Sequence, residues 1–128
     1  MPTWDELREY ARDKYKLQDD EPGYFSLVFR VESERTQLIT VRRVTAFDSD
    51  WIEFRSPVCR EGQMDAKHAL RQNATFAVGA LALDGAKYYL LYSIPLATMQ
   101  TEEFELPLHV LARTADSLEG TFTTGDEF

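Results

Sequence analysis

The side chains able to do acid–base, nucleophilic or metal chemistry are few in this sequence, and they are scattered. His68 and His109 are the only histidines. No Cys or carboxylate stands with either at a metal-ligand spacing such as His-x-x-x-His or Cys-x-x-Cys, so no metal site is expected and both read as surface or helix-capping residues. Cys59 is the single cysteine. It needs a base beside it in space to act as a nucleophile, and a half-buried, inert thiol is the expectation. The six glycines never fall as G-x-G-x-x-G or G-x-x-x-x-G-K, so no loop of main-chain amides is set to cradle a phosphate. Asn73-Ala74-Thr75 matches a glycosylation sequon but is better read as a helix end. The sequence therefore predicts no catalytic, cofactor-binding or metal-ligating residue and no cofactor.

Two clusters remain. Arg30, Arg42, Arg43 and Arg55 are interleaved with Glu32, Glu34 and Glu53, which reads as a solvated mixed-charge face and not as a basic binding patch. Tyr88, Tyr89 and Tyr92, with Tyr10, Tyr15 and Tyr24, sit at strand and helix spacing and are expected in the core. Overall, 14 Lys and Arg face 22 Asp and Glu, a formal charge of −8. Nucleic acid and anionic membrane surfaces repel such a chain, which disfavours both as partners. From Thr101 onward there are seven acids and one base, so most of the excess sits in the last stretch. The opening MPTWDELREY lacks the basic and apolar regions of a signal peptide, and the lone cysteine suits a reducing compartment, so a cytoplasmic location is expected. No apolar run reaches the ~18 residues of a membrane span.

The elements that must position these residues follow from periodicity. Thr3-Trp4-Asp5-Glu6 is a capping box opening a helix to about Leu17, with Trp4, Leu7, Ala11 and Tyr15 on one face; Pro22-Gly23 breaks it. Tyr24 to Glu32 alternates, with Phe25, Leu27, Phe29 and Val31 inward. Strands over Thr36–Phe47 and Trp51–Val58 follow, separated by turns at Ser33-Glu34-Arg35 and Asp48-Ser49-Asp50. Ile39 and Val41 share one parity and Val44 and Ala46 the other, which predicts a bulge near Arg42-Arg43. A short helix, Met64–Asn73, leads into a small-residue strand, Thr75–Leu83, then the Asp84-Gly85 hairpin turn and a strand over Lys87–Leu96. A last helix opens at Thr98 or Thr101. It carries the stripe Phe104, Leu108, Leu111, Ala112, Ala115 and Leu118, with Gly120 as its cap. The result is one α+β domain over residues 1–120, ordered α-β-β-β-α-β-β-α around an antiparallel sheet, and a flexible acidic tail over 121–128.

In this order, and in particular in Ala69-Leu70-Arg71-Gln72-Asn73-Ala74, the small-residue strand, the hairpin, Leu90 to Leu96 and the final helix ending Ala115-Asp116-Ser117-Leu118-Glu119, the chain resembles the type III secretion chaperone-like fold. That fold includes CesT-type secretion chaperones and YbjN-type bacterial proteins. The match runs from Trp4 to Leu118. The resemblance implies a small bacterial cytoplasmic protein with no catalytic residues, which homodimerises and holds a segment of a protein partner or effector.

The expected function is thus a non-enzymatic chaperone or adaptor. The alternative is a small-molecule-binding or enzymatic domain whose curved sheet encloses a pocket built from Tyr88, Tyr92, His109 and Asp84; a further reading makes the acidic end a regulatory element. Partner binding is assigned to Trp4, at the very start of its helix, and to Val28, on the outward parity of its strand; both look surplus to the core. The small residues point to a dimer interface at Ala69, Leu70, Val78, Gly79 and Ala80, which Gly79→Glu is expected to split.

Overall fold

The computed structural model describes residues 3–30 and 36–122. The tail over 123–128, the strand end at Val31 and Glu32 and the turn at Ser33-Glu34-Arg35 lie outside the described residues. Helix α1 spans Trp4–Lys14. The Thr3 hydroxyl accepts from the Glu6 amide at 3.1 Å, satisfying one of the open donors of the first turn. The helix stops short of Leu17 because Tyr15 turns to extended backbone (φ −132°, ψ 155°). The chain then feeds β1 (Asp19–Glu21), a three-residue edge strand with no apolar alternation to announce it. Asp20 takes hydrogen bonds from Arg8 (2.9 Å) and Arg12 (2.5 Å), clipping β1 to α1.

The remaining strands are β2 (Tyr24–Arg30), β3 (Thr36–Ala46), β4 (Ser49–Arg60), β5 (Ala80–Asp84) and β6 (Lys87–Pro95); the other helices are α2 (Ala66–Asn73) and α3 (Glu105–Phe122). They form one six-stranded antiparallel sheet in the order β1-β2-β3-β4-β6-β5. The β3–β4 hairpin turns at Phe47-Asp48, both at positive φ (53° and 60°), one position earlier than its sequence suggests. No bulge occurs at Arg42-Arg43: the β3–β4 register runs unbroken through both residues, and the β2–β3 register is regular up to its end at Arg42. The change of parity marks a change of face, because Val44 and Ala46 lie on the side of the sheet opposite Ile39 and Val41. The irregularity falls at Pro57/Cys59, where proline has no amide for the ladder. There Gln37 donates to the Pro57 carbonyl and the Ser56 hydroxyl (2.8 Å each), and Ser56 donates to the Leu38 carbonyl (2.7 Å).

The strand expected from Thr75 begins only at Ala80. Gly79 takes φ +88°, and a Cβ there would stand 3.2 Å from the Leu91 carbonyl oxygen and 3.3 Å from Leu111. The Asn73 side chain then does the work of a neighbouring strand, accepting from the Leu81 amide (2.6 Å) and donating to its carbonyl (3.3 Å). α3 opens after the turn Thr101–Phe104, carries Pro107 in its first turn and runs through Gly120 to Phe122, so Gly120 is no cap.

α1 and α3 cover one face of the sheet. Trp4 stacks on Phe25 (centroids 5.6 Å), Phe25 on Phe104 (6.0 Å), and Phe104 meets Phe54 edge-on (5.5 Å). The predicted α3 stripe is buried throughout. Phe104 thus holds α1, β2, β4 and the start of α3 together. Phe104→Ala is expected to cost about 3–5 kcal/mol, measured by denaturant unfolding, with most of the loss in the midpoint and little in the slope.

Candidate functional site

The sheet face away from the helices is built from the outward parity of each strand. Its side chains form rows across the strands because the register is unbroken over most of its width. One row is apolar: Val28 pairs directly with Leu38, and Pro57 with Tyr89. Val28 is 49% exposed, whereas its inward neighbours Phe25 and Leu27 are buried. The row opens on two adjoining cavities that share Gln18 and Val28. One, of about 330 Å³, is lined also by Lys16 and Leu17. The other, of about 470 Å³, takes in Leu38, Thr40, Arg55, Pro57, Lys87 and Tyr89. At the far end of the face Val44, Ala46, Phe47 and Trp51 line a smaller hollow of about 220 Å³, with Phe47 almost wholly exposed.

Between these apolar regions runs a ladder of charge. Arg42 grips Glu53 with two parallel hydrogen bonds (2.9 and 3.0 Å), Arg55 donates to Glu53 (2.9 Å) and to Asp84 (2.7 Å), and the Arg55 guanidinium lies 4.9 Å over the Tyr89 ring. Burial pushes the Glu53 carboxyl up, but the hydrogen bonds from Arg42 and Arg55 outweigh it and hold Glu53 below the ordinary carboxylate value.

The main chain of β2 adds a second feature. The Arg43 amide donates to the Gly23 carbonyl (3.1 Å), so odd-numbered residues of β2 turn their polar groups to β3; Ser26 faces the other way and accepts from the Gln18 amide (2.8 Å). By alternation the amides and carbonyls of Val28 and Arg30 face outward too. β1 ends its register at Asp19↔Ser26, so no strand among the described residues lies beside them. The opposite edge differs, since Asn73 occupies the outward groups of Leu81.

Trp4 is not surplus to the core. It is 4% exposed, stacked on Phe25, and its indole N–H donates to the Pro22 carbonyl at 2.8 Å. The aromatic ring at the first position of α1 closes the core over β2. The five residues assigned to a dimer interface share one end of the molecule, where α2 packs on β5. Leu70 is 70% exposed and Ala80 exposed, Val78 and Gly79 are half-buried, and Ala69 is buried. Since a Cβ at Gly79 would press on the Leu91 main chain at a positive φ, Gly79→Glu damages the monomer and cannot report on association alone.

The residues of the alternative pocket do not converge. Tyr88 is buried in the core, Tyr92 stacks near Phe54, Asp84 lies on the open face with Arg55, and His109 stands edge-on to Phe29 (4.7 Å). His109 does meet a carboxylate, Glu105, at 3.7 Å, but as an i,i+4 pair on α3. Glu105 also takes hydrogen bonds from Tyr15 and Tyr10 and an ion pair from Lys14, which fastens α1 to α3. Burial pushes the Cys59 thiol up to about 11, leaving it protonated and a poor nucleophile near neutral pH. Among the described residues no group of three His, Cys, Asp or Glu is placed to hold a metal ion, and no helix is long and apolar enough to cross a membrane.

The sequence reading missed Leu38, Tyr89 and Arg55 as members of one surface. Counting outward-parity apolar residues across paired strands, not within one strand, is the signal that finds them.

With this geometry in hand, the fold is that of the type III secretion chaperones, an α+β domain with an antiparallel sheet. Two solved structures carry the likeness. One is a chaperone–effector complex of HopA1 and SchA: TM-score 0.63, 13% identity, 89% of this chain and 90% of that chain covered. The other is the Yersinia pestis type III secretion chaperone SycH in complex with a stable fragment of YscM2: TM-score 0.58, 15% identity, 88% of this chain and 95% of that one covered. No family model matches the chain, and no curated protein matches it significantly.

Glu53→Gln tests the ladder. The depressed Glu53 pKa places its contribution at pH values above the ordinary carboxylate range, to be lost as pH falls through the folded-state value. The variant is expected to be about 1–2 kcal/mol less stable than the parent at pH 7, with the gap closing below about pH 4, in urea titrations at each pH.

Proposed function

We propose that the chain is a non-enzymatic cytoplasmic chaperone or adaptor that works as a homodimer and holds an extended segment of a protein partner on the open sheet face around Val28. The observation that carries this reading is the apolar row from Val28 to Tyr89, exposed at Val28, half-buried at Leu38 and Tyr89, and ending at the unpaired stretch of β2. An extended chain added there can take main-chain hydrogen bonds from Val28 and Arg30, the strand-addition mode of peptide recognition, with its open-face side chains beside Val28 at the end of the apolar row. The shared fold supports the reading, since both solved neighbours are chaperones caught with an effector or a protein fragment. Trp4, buried under the helix start, supports the surface from beneath through Phe25. The exposed Leu70, Ala80 and Leu83 offer the apolar area for self-association.

Val28→Asp is expected to shift the melting temperature by only a few degrees, since Val28 is half out of the structure. The same change abolishes capture of ten-residue peptides cut from proteins that co-purify with the chain, measured by fluorescence polarisation. Unfolding together with lost binding contradicts the surface assignment, and unchanged binding moves the partner elsewhere. For the dimer, light scattering at micromolar concentration is expected to give the mass of two chains, reduced to one by Leu70→Asp without loss of fold. A parent mass of one chain that does not change with concentration contradicts it.

A further inference from the structure

The free edge of β2 has a competitor inside the molecule. Residues 15–18 link α1 to β1, and three of them, Lys16, Leu17 and Gln18, line the cavity of about 330 Å³ that opens at Val28. Both ends of this link are moored. Glu105 on α3 accepts from the Tyr10 hydroxyl (3.2 Å) and the Tyr15 hydroxyl and pairs with Lys14 (3.3 Å). At the other end the Gln18 amide donates to the Ser26 carbonyl (2.8 Å), and Asp20 is held by Arg8 and Arg12. Between the moorings the main chain of Lys16 and Leu17 makes no hydrogen bond among the described residues, and the backbone at Tyr15 is already extended. Two stretches of unpaired main chain, this one and that of Val28, therefore share one cavity.

We infer that this link is a strap able to pair with β2 and shut the partner edge, and that Glu105 holds it open. The strap rests on the fold alone; its role against a partner rests on the function proposed above. An open row of amides and carbonyls is a template for any extended chain, and a segment tethered beside it competes at an effective concentration in roughly the millimolar range. A partner binds only if the strap is kept away. The register says where the strap lands: Asp19 pairs with Ser26, so two residues upstream Leu17 falls opposite Val28. The Asp19 carboxylate and the Ser26 hydroxyl meet on one face (2.6 Å), and by alternation Leu17 then shares the face of Val28, at the end of the apolar row. Landing has a cost. It takes Leu17 from the core it packs on and draws Tyr15 from its place beside Phe29 (6.4 Å) and from the Ala11 carbonyl that its amide caps (2.8 Å). Glu105 adds to that cost by pulling Tyr15 and Lys14 toward α3, and the open state prevails.

Amide exchange on the full chain tests the strap with no partner present. Glu105→Ala, with the melting temperature confirming the fold, is expected to slow exchange at Val28 about tenfold, as a strap closed about nine-tenths of the time requires. Should that variant unfold, Tyr15→Phe removes one mooring, keeps the ring and slows Val28 about twofold. Adding Leu17→Pro to either, which deletes the amide the strap needs, restores fast exchange. Exchange at Val28 that the folded variants leave unchanged or faster, or slowing that survives Leu17→Pro, overturns the strap. Fluorescence polarisation then brings in ten-residue peptides cut from proteins that co-purify with the chain. With the strap closed by Glu105→Ala they are expected to bind about tenfold more weakly than to the parent, and Leu17→Pro restores them. Val28 slowed as expected while peptide binding stays unchanged overturns the placing of the partner on this edge, and with it the strap's role in shutting that edge.

Discussion

The packing of Phe104 decides what the rest of the molecule can be. This ring sits at the entrance to α3 and touches Phe25 from β2, Phe54 from β4 and Tyr10 from α1. It draws both long helices onto the same side of the sheet. On the other side, Val28 and Arg42 stay exposed among the described residues. The domain's surface chemistry is therefore the chemistry of a bare sheet.

A bare antiparallel sheet stays in water only if its outward parity is polar and its edges are protected. Most of this face obeys. Arg42, Glu53, Arg55 and Asp84 pair across strands, and Thr40, Ser26 and Ser93 fill the intervening positions. The β5 edge is capped at Leu81 by the Asn73 amide, and the first half of the β2 edge is covered by β1, itself clipped to α1 through Asp20. The departures are local. Val28, Leu38, Pro57 and Tyr89 make one apolar row, and the only stretch of β2 without a neighbouring strand begins where that row reaches the edge. Two liabilities at one place are the physical basis for proposing a partner there. The turn residue Phe47, exposed in a left-handed conformation that bulky side chains rarely adopt, makes a second and smaller apolar spot at the other end.

Much of the fold was legible in the residues. The capping box at Thr3, the alternation from Phe25 to Phe29, the Asp84-Gly85 turn and the α3 stripe each state a local preference that the tertiary structure keeps. The failures have specific causes. β1 is three acidic residues held by Arg8 and Arg12, an interaction between segments that no periodicity announces. The parity change at Val44 was a change of face and not a bulge, since one strand alone cannot say which side its neighbours will bury. Gly79 and Asn73 shortened β5 through contacts with Leu91 and Leu81, again across segments. Trp4 at a helix start looked peripheral, yet the chain returns over it at Pro22. The Val28 site was visible only as a single outward residue; Leu38, Tyr89 and Arg55 joined it once the register placed four strands side by side.

The account stands on the claim that a partner segment extends the sheet at the free stretch of β2. Amide hydrogen exchange on the intact chain, with and without its tightest-binding partner peptide, reads this directly, because Val28 and Arg30 turn their amides outward with no strand beside them. The account predicts that the peptide slows exchange at Val28 and Arg30 by an order of magnitude or more and leaves Leu81 and Leu83 on β5 unchanged. Protection confined to β5 and α2, with Val28 and Arg30 exchanging as before, would contradict it.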